Sequence, residues 1–158
     1  MAVFMSTVTA KIDAKGRVSI PAAFRAVIAE QNGEVAKTQD VFLYPALAEK
    51  AIEGGGLKLQ NDSEAILENI PPGSSDHDSL SAVLYGDRHN LTIDADGRVI
   101  LPADLLTHAE IGKEMCFVGL GNHFRIWNPK NYAEFKARAH EAALEYRNLL
   151  SKRERDRS

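Results

Sequence analysis

Val8, Ala10 and Ile12 alternate with Thr9 and Lys11, the period of two that a half-buried β-strand requires. Asp13-Ala14-Lys15-Gly16 follows as a turn, in which aspartate suits the first position and glycine supplies the positive φ that closes it. Arg17-Val18-Ser19-Ile20 returns as a second strand, and Pro21 opens a helix over about residues 22–30. Val41-Phe42-Leu43 reads as an apolar strand ending in Tyr44-Pro45. A short helix is expected over about residues 46–53, terminated by Gly54-Gly55-Gly56. A polar stretch with a helix near residues 63–69 comes next, then the breaker Pro71-Pro72-Gly73-Ser74-Ser75, then a helix from Asp76 to Tyr85.

The pattern then starts again. Leu91 and Ile93 mark a strand, Asp94-Ala95-Asp96-Gly97 a turn, and Arg98 to Leu101 a second strand, with Pro102 ahead of a helix. Residues 12–23, IDAKGRVSIPAA, and 93–104, IDADGRVILPAD, agree at eight of twelve positions at a constant offset of 81. More loosely, Val41 to Pro45 pairs with Phe124-Arg125-Ile126-Trp127-Asn128-Pro129. Such a repeat organises a fold, and each unit, at about 50 residues, is too small to hold a sizeable core alone. The two units are therefore expected to bury their apolar faces against each other as a pseudo-twofold pair. The divisions are a first repeat at 7–53, a polar linker with helices at 54–82, a second repeat at 83–128, and a C-terminal helix and tail at 129–158. Asn128 is a good N-cap with Pro129 at the first helical position. Along that helix Tyr132, Phe135, Ala139, Ala142, Tyr146 and Leu149 make an a/d seam, which either packs on its own domain or joins subunits. The mixed-charge end, Lys152 to Arg157, is expected to fray.

A hydrophobic share of 44% in 158 residues suits a globular domain, and a net charge of −3 excludes a uniformly basic surface. The charge is nevertheless uneven. Residues 1–25 set Lys11, Lys15, Arg17 and Arg25 against Asp13 alone, a balance of +3, whereas residues 26–80 set three lysines against ten carboxylates, a balance of −7. Positive charge thus gathers at the first motif, and local potential is what a phosphate senses. Cys116, the one cysteine, sits between Met115 and Phe117 and reads as a buried, inert thiol. No run reaches the ~18 apolar residues of a membrane span, and the start lacks the basic n-region of a signal peptide, so a cytoplasmic protein is expected.

Catalytic and metal chemistry find little support. His77 in Asp76-His77-Asp78 has no second histidine or cysteine at ligand spacing, and a polar helix N-terminus explains it better. Gly119-Leu120-Gly121-Asn122 lacks the third glycine and following helix of a dinucleotide site and reads as a turn between strands. No catalytic residue, metal site or cofactor is assigned.

IDAKGRVSIP and IDADGRVILP resemble the Asp-x-x-x-Arg signature found twice in the MraZ family of bacterial regulators, tandem members of the wider AbrB/SpoVT-like swapped-hairpin class. The likeness spans nearly the whole chain, taking in Phe4, Leu43-Tyr44-Pro45, Gly119-Leu120-Gly121-Asn122 and Phe124-Arg125-Ile126-Trp127. It implies a mainly β fold with helices (α+β): two tandem swapped-hairpin units in one barrel-like domain, plus the C-terminal helix. It also implies a ring-like homo-oligomer that binds short direct repeats in double-stranded promoter DNA of the division and cell-wall gene cluster. Association with the nucleoid follows, with action as a repressor the expected sign.

The residues themselves fit such a role. Arg17 follows a turn glycine and should project beside the hairpin tip, and a two-stranded ribbon fits the major groove, where arginine bonds guanine bidentately. Lys15 on the turn and Lys11 before it suit phosphate contacts, which position without specifying. Motif matching gives Arg98 the role of Arg17, and makes Asp13, Gly16, Asp94 and Gly97 structural turn residues. Arg17 has a second reading as an ion pair with Asp13, and both can hold, because a carboxylate can fix the arginine fork that reads a base. The repeats are not equal, for Asp96 stands where Lys15 does and Asp104 where Ala23 does. The second hairpin is therefore the less attractive to phosphate, although Arg88 and His89 lie upstream of it. The alternative is a protein-binding, antitoxin-like module of the same fold without a promoter role.

Overall fold

The structure, a computed structural model, describes residues 2–33 and 40–157. Among the described residues, the first unit, up to Asn128, holds eight strands in an α+β arrangement, and the residues from Pro129 onward form a second unit. Strands β1 (Thr7–Lys11) and β2 (Arg17–Ser19) flank the first turn and precede helix α1 (Ala22–Asn32). Strands β3 (Asp40–Pro45) and β4 (Ala51–Gly55) lead to α2 (Leu57–Glu68) and α3 (Ser75–Ser81), the last running into a π-helical turn at Ala82–Gly86. Strands β5 (His89–Thr92) and β6 (Arg98–Ile100), helix α4 (Ala103–His108), and strands β7 (Glu114–Gly119) and β8 (Phe124–Trp127) complete the unit.

Six strands form one antiparallel sheet in the order β1-β7-β8-β4-β3-β5, and β2 pairs with β6 in a separate ribbon. The order is palindromic. Each repeat lends its first strand to the other, β1 to β7 and β5 to β3, and the halves meet at β8–β4 and at Val18↔Val99. That exchange is the pseudo-twofold packing expected for units too small to fold alone. It also corrects one correspondence: topology matches β3 with β7 and β4 with β8, not Val41–Pro45 with Phe124–Pro129. The aromatic-then-proline endings that suggested the latter terminate strands of different rank in each half.

The predicted helix at 46–53 is replaced by β4, a fully buried strand. Its glycines are there for space rather than as a stop. A methyl added to Gly54 would fall 2.5 Å from the Phe124 ring and 2.9 Å from Leu43, and one on Gly55 would meet Leu59 at 2.9 Å. Tertiary packing overrides local propensity in such a strand. Glu53 stands opposite Arg125 across β4 and β8, with Oε1 accepting from Nε at 2.6 Å, while His123 Nε2 lies 3.1 Å from Oε2. Burial pushes the Glu53 carboxyl up, but His123 and Arg125 outweigh it and hold the carboxyl below its ordinary value.

The core draws on both repeats. Phe24, Val27 and Ile28 of α1 make one buried helical stripe, and Phe4, Phe24, Phe117 and Phe124 pack ring against ring at centroid distances of 5.1–6.1 Å. Burial pushes the Cys116 thiol up to about 11, consistent with an inert side chain. Helix α2 starts six residues earlier than the segment expected at 63–69. In the second unit, α5 (Pro129–Arg157) continues through the charged end where fraying was expected. Along it Tyr132 and Phe135 stack at 6.3 Å and are half-buried, whereas Tyr146, Leu149 and Leu150 are exposed. No helix of the described residues is long and apolar enough to cross a membrane.

Candidate nucleic-acid interface

The two turns have the same hydrogen-bonded frame. In the first, Asp13 N–H donates to the Arg17 carbonyl at 2.8 Å and Gly16 N–H to the Asp13 carbonyl at 3.0 Å. Asp13 Oδ1 accepts from the Lys15 and Arg17 amides at 2.9 and 2.8 Å. In the second, Asp94 and Gly97 repeat the backbone bonds at 2.9 and 3.0 Å, and Asp94 Oδ1 accepts from Asp96 and Arg98 N–H at 2.9 Å each. Gly16 and Gly97 both have φ of +82°, which L side chains rarely adopt. The amide of the following arginine is the first cause that holds Asp13 below its ordinary 3.8, and the same is true of Asp94. The aspartates are thus ionised turn-formers.

The arginines differ where the frames agree. Arg17 Nε donates to Asp13 Oδ2 at 2.9 Å, and its two Nη groups make no hydrogen bond among the described residues. Arg98 instead spends Nη2 on Asp96 Oδ2 at 2.9 Å, and its Nε is buried without a hydrogen-bond partner, 3.7 Å from Asp94 Oδ2. The repeat position held by Lys15 in one turn thus supplies a second carboxylate clamp in the other. Lys15 is exposed and forms no ion pair among the described residues, whereas Lys11, opposite Glu114 in the β1–β7 ladder, lies 3.6 Å from its carboxylate.

The ribbon brings the motifs onto one face. Register pairs Arg17 with Ile100 and Ser19 with Arg98, with Val18 and Val99 turned inward. Arg17, Asp94, Arg98 and Ile100 share the lining of a recess of about 310 Å³, and the Arg17 charge contributes to holding Asp94 ionised. All eight residues singled out from the sequence sit on the two turns and the strands beside them. Lys11 is the last residue of β1, two residues before Asp13.

Sequence reasoning missed two residues. Arg25, on the first turn of α1, reaches across to the second hairpin, where a methyl on Gly97 would come within 2.6 Å of its Cζ. Its Nε donates to the Ile20 carbonyl at 3.1 Å, and it forms no ion pair among the described residues. The matching position in the second repeat is Leu106, part of the apolar packing, and nothing lies within 4 Å of a methyl on Gly16. Ile100 is the other, exposed on the ribbon where Ser19 stands in the first repeat. The inequality of the repeats at 25/106 and 19/100 was the available signal. Arg88 and His89, considered as compensating cations, are engaged elsewhere: Arg88 stacks over Tyr85 and Phe42, and His89 pairs with Asp104 at 3.0 Å. His77 donates its amide to Ser74 Oγ at the start of α3.

Comparison with known proteins now bears on the chain as a whole. A family described as "MraZ protein, putative antitoxin-like" matches residues 84–150. A protein of Xanthobacter autotrophicus named "Transcriptional regulator MraZ" is 42% identical over 150 residues, covering 95% of this chain and 92% of its own. One of the same name from Azorhizobium caulinodans is 42% identical over 147 residues, covering 93% and 90%. A third, from Rickettsia bellii, is 37% identical over 153 residues, covering 95% and 97%. Identity of this extent over matched lengths, on top of a doubled Asp-x-x-x-Arg turn, makes the chain a member of the MraZ family.

Proposed function

We propose that the protein is a transcription regulator that binds double-stranded promoter DNA through the β2–β6 ribbon and the turns beside it. The observation that carries this reading is the state of Arg17. A carboxylate holds the guanidinium at Nε while both Nη groups remain uncommitted, on an outward ribbon of the size a major groove admits. Fixing the fork in advance lowers the ordering cost of reading a base. Lys15 and Arg25, without ion pairs among the described residues, supply phosphate contacts on either side. Arg25 gives the acid-bearing second turn a cation that its own sequence lacks.

Net charge of −3 is no obstacle when several copies of this face act together. A ring-like homo-oligomer engaging successive sites gains avidity without new contacts. The operator is then a set of direct repeats about one helical turn (~10 bp) apart, upstream of the division and cell-wall genes, with repression the expected result on nucleoid DNA in the cytoplasm. Titrating repeat and scrambled duplexes at two salt concentrations tests the reading. Preference for the repeats, with affinity falling steeply as salt rises, is the expected behaviour. Salt-independent binding, or none, favours the protein-binding alternative.

A further inference from the structure

Strands β2 and β6 turn every second residue outward. Val18 and Val99 are 1% and 4% exposed, so Arg17, Ser19, Arg98 and Ile100 occupy the opposite face of the ribbon. There Ile100 stands directly across from Arg17, two residues beyond Arg98 on its own strand, and is 63% exposed. The equivalent position in the first repeat carries a serine. A branched apolar side chain beside two arginines suits few partners. A protein surface that buried Ile100 would also take Arg17 and Arg98 out of water, at a large desolvation cost. A duplex major groove accommodates both features at once: arginine bonds base edges, and an apolar side chain meets the C5 methyl of thymine.

We infer, on the reading of this face as the DNA interface, that Ile100 is a specificity-determining residue that contacts a thymine methyl beside the base bonded by Arg17. The shared recess places the isoleucine and the arginine against the same stretch of groove. The two ends of the ribbon then present unequal surfaces to the groove. Arg17 with Ile100 selects a base pair bearing a methyl, whereas Arg98 with Ser19 presents a hydroxyl that accepts either kind of base edge.

Deoxyuridine differs from thymidine only by that methyl, so the test replaces each thymine of the repeat duplex by deoxyuridine in turn. The wild-type protein should lose affinity about fourfold at one thymine per repeat, the worth of one buried methyl, and little elsewhere. Ile100→Ser should bind the thymine and uracil duplexes equally while still preferring repeats over scrambled DNA, and Ile100→Val should keep the thymine preference. Indifference of the wild type to every replacement, or undiminished discrimination by Ile100→Ser, overturns the assignment. A wild type that cannot tell repeats from scrambled DNA removes the DNA reading itself, and the assignment with it.

Discussion

Arg17 and Arg98 emerge from turns whose backbone bonds agree to about 0.1 Å, yet they finish in different electrostatic surroundings. The difference traces to one substitution within the repeat, Lys15 against Asp96, which was legible in the sequence. Its consequence was only half legible: the weaker attraction for phosphate followed from charge alone, but the capture of Arg98 Nη2 by Asp96 required side-chain positions. Arg25 was legible only as an inequality with Leu106, because Gly97 is 72 residues away and no spacing rule joins a helix to the other repeat's turn. The turn aspartates themselves make a checkable statement. Asp13 and Asp94 lie below their ordinary 3.8, and Glu53 lies below 4.5. Their ionised forms therefore stabilise the folded state, fully above those ordinary values and less as pH falls through the lowered ones. The melting temperature should be insensitive to these groups from pH 7 to about 5 and should drop below about pH 4. Asp13→Asn/Asp94→Asn should melt lower at pH 7 and show a shallower acid decline; an unchanged acid limb would assign the decline to other carboxylates.

Among the elements, those with a clean period of two or a helix-start signal were readable. Strands β1 and β2, helix α1 and their copies appear where alternation, glycine and proline put them. Strand β4 was not, since Ala51-Ile52-Glu53 followed by three glycines has no alternation and reads locally as a helix end. Glycine there is a packing requirement that only the neighbours reveal. Gly119, at the end of β7, shows the same logic at higher stakes: a methyl there would collide with the backbone of Phe4 and Met5, beside the Gly119 N–H bond to Ser6. Gly119→Ala should cost about 1–3 kcal/mol, and the melting temperature should fall by roughly 2–4 °C for each of these. Gly112→Ala, with nothing within 4 Å of the new methyl, is the control and should melt like wild type. Equal melting of the two variants would mean that the N-terminal segment is not tied to β7 in solution.

For the whole molecule, the repeat and its swapped pairing account for the palindromic sheet, and the offset of 81 announced them. The C-terminal helix carries Tyr146, Leu149 and Leu150 as an exposed apolar row on its distal half. Exposed apolar rows of this kind ordinarily mark interaction sites. On that basis the wild type should scatter light as a particle larger than a dimer at micromolar concentration, and Leu149→Lys/Leu150→Lys should be markedly lighter. A monomeric wild type, or a double variant of unchanged mass, would move the interface elsewhere and weaken the case for avidity.

On the proposed reading Arg17 bonds bases from a turn where Arg98 is held back. Titrating wild type, Arg17→Ala and Arg98→Ala against repeat and scrambled duplexes at two salt concentrations separates the two arginines, with circular dichroism establishing that each variant is folded. Arg17→Ala should lose about 1–3 kcal/mol per engaged site and fall to the affinity for scrambled DNA, while Arg98→Ala loses less and keeps its preference for the repeats. A folded Arg17→Ala that still prefers the repeats, or equal losses for the two variants, would place base recognition elsewhere on the protein.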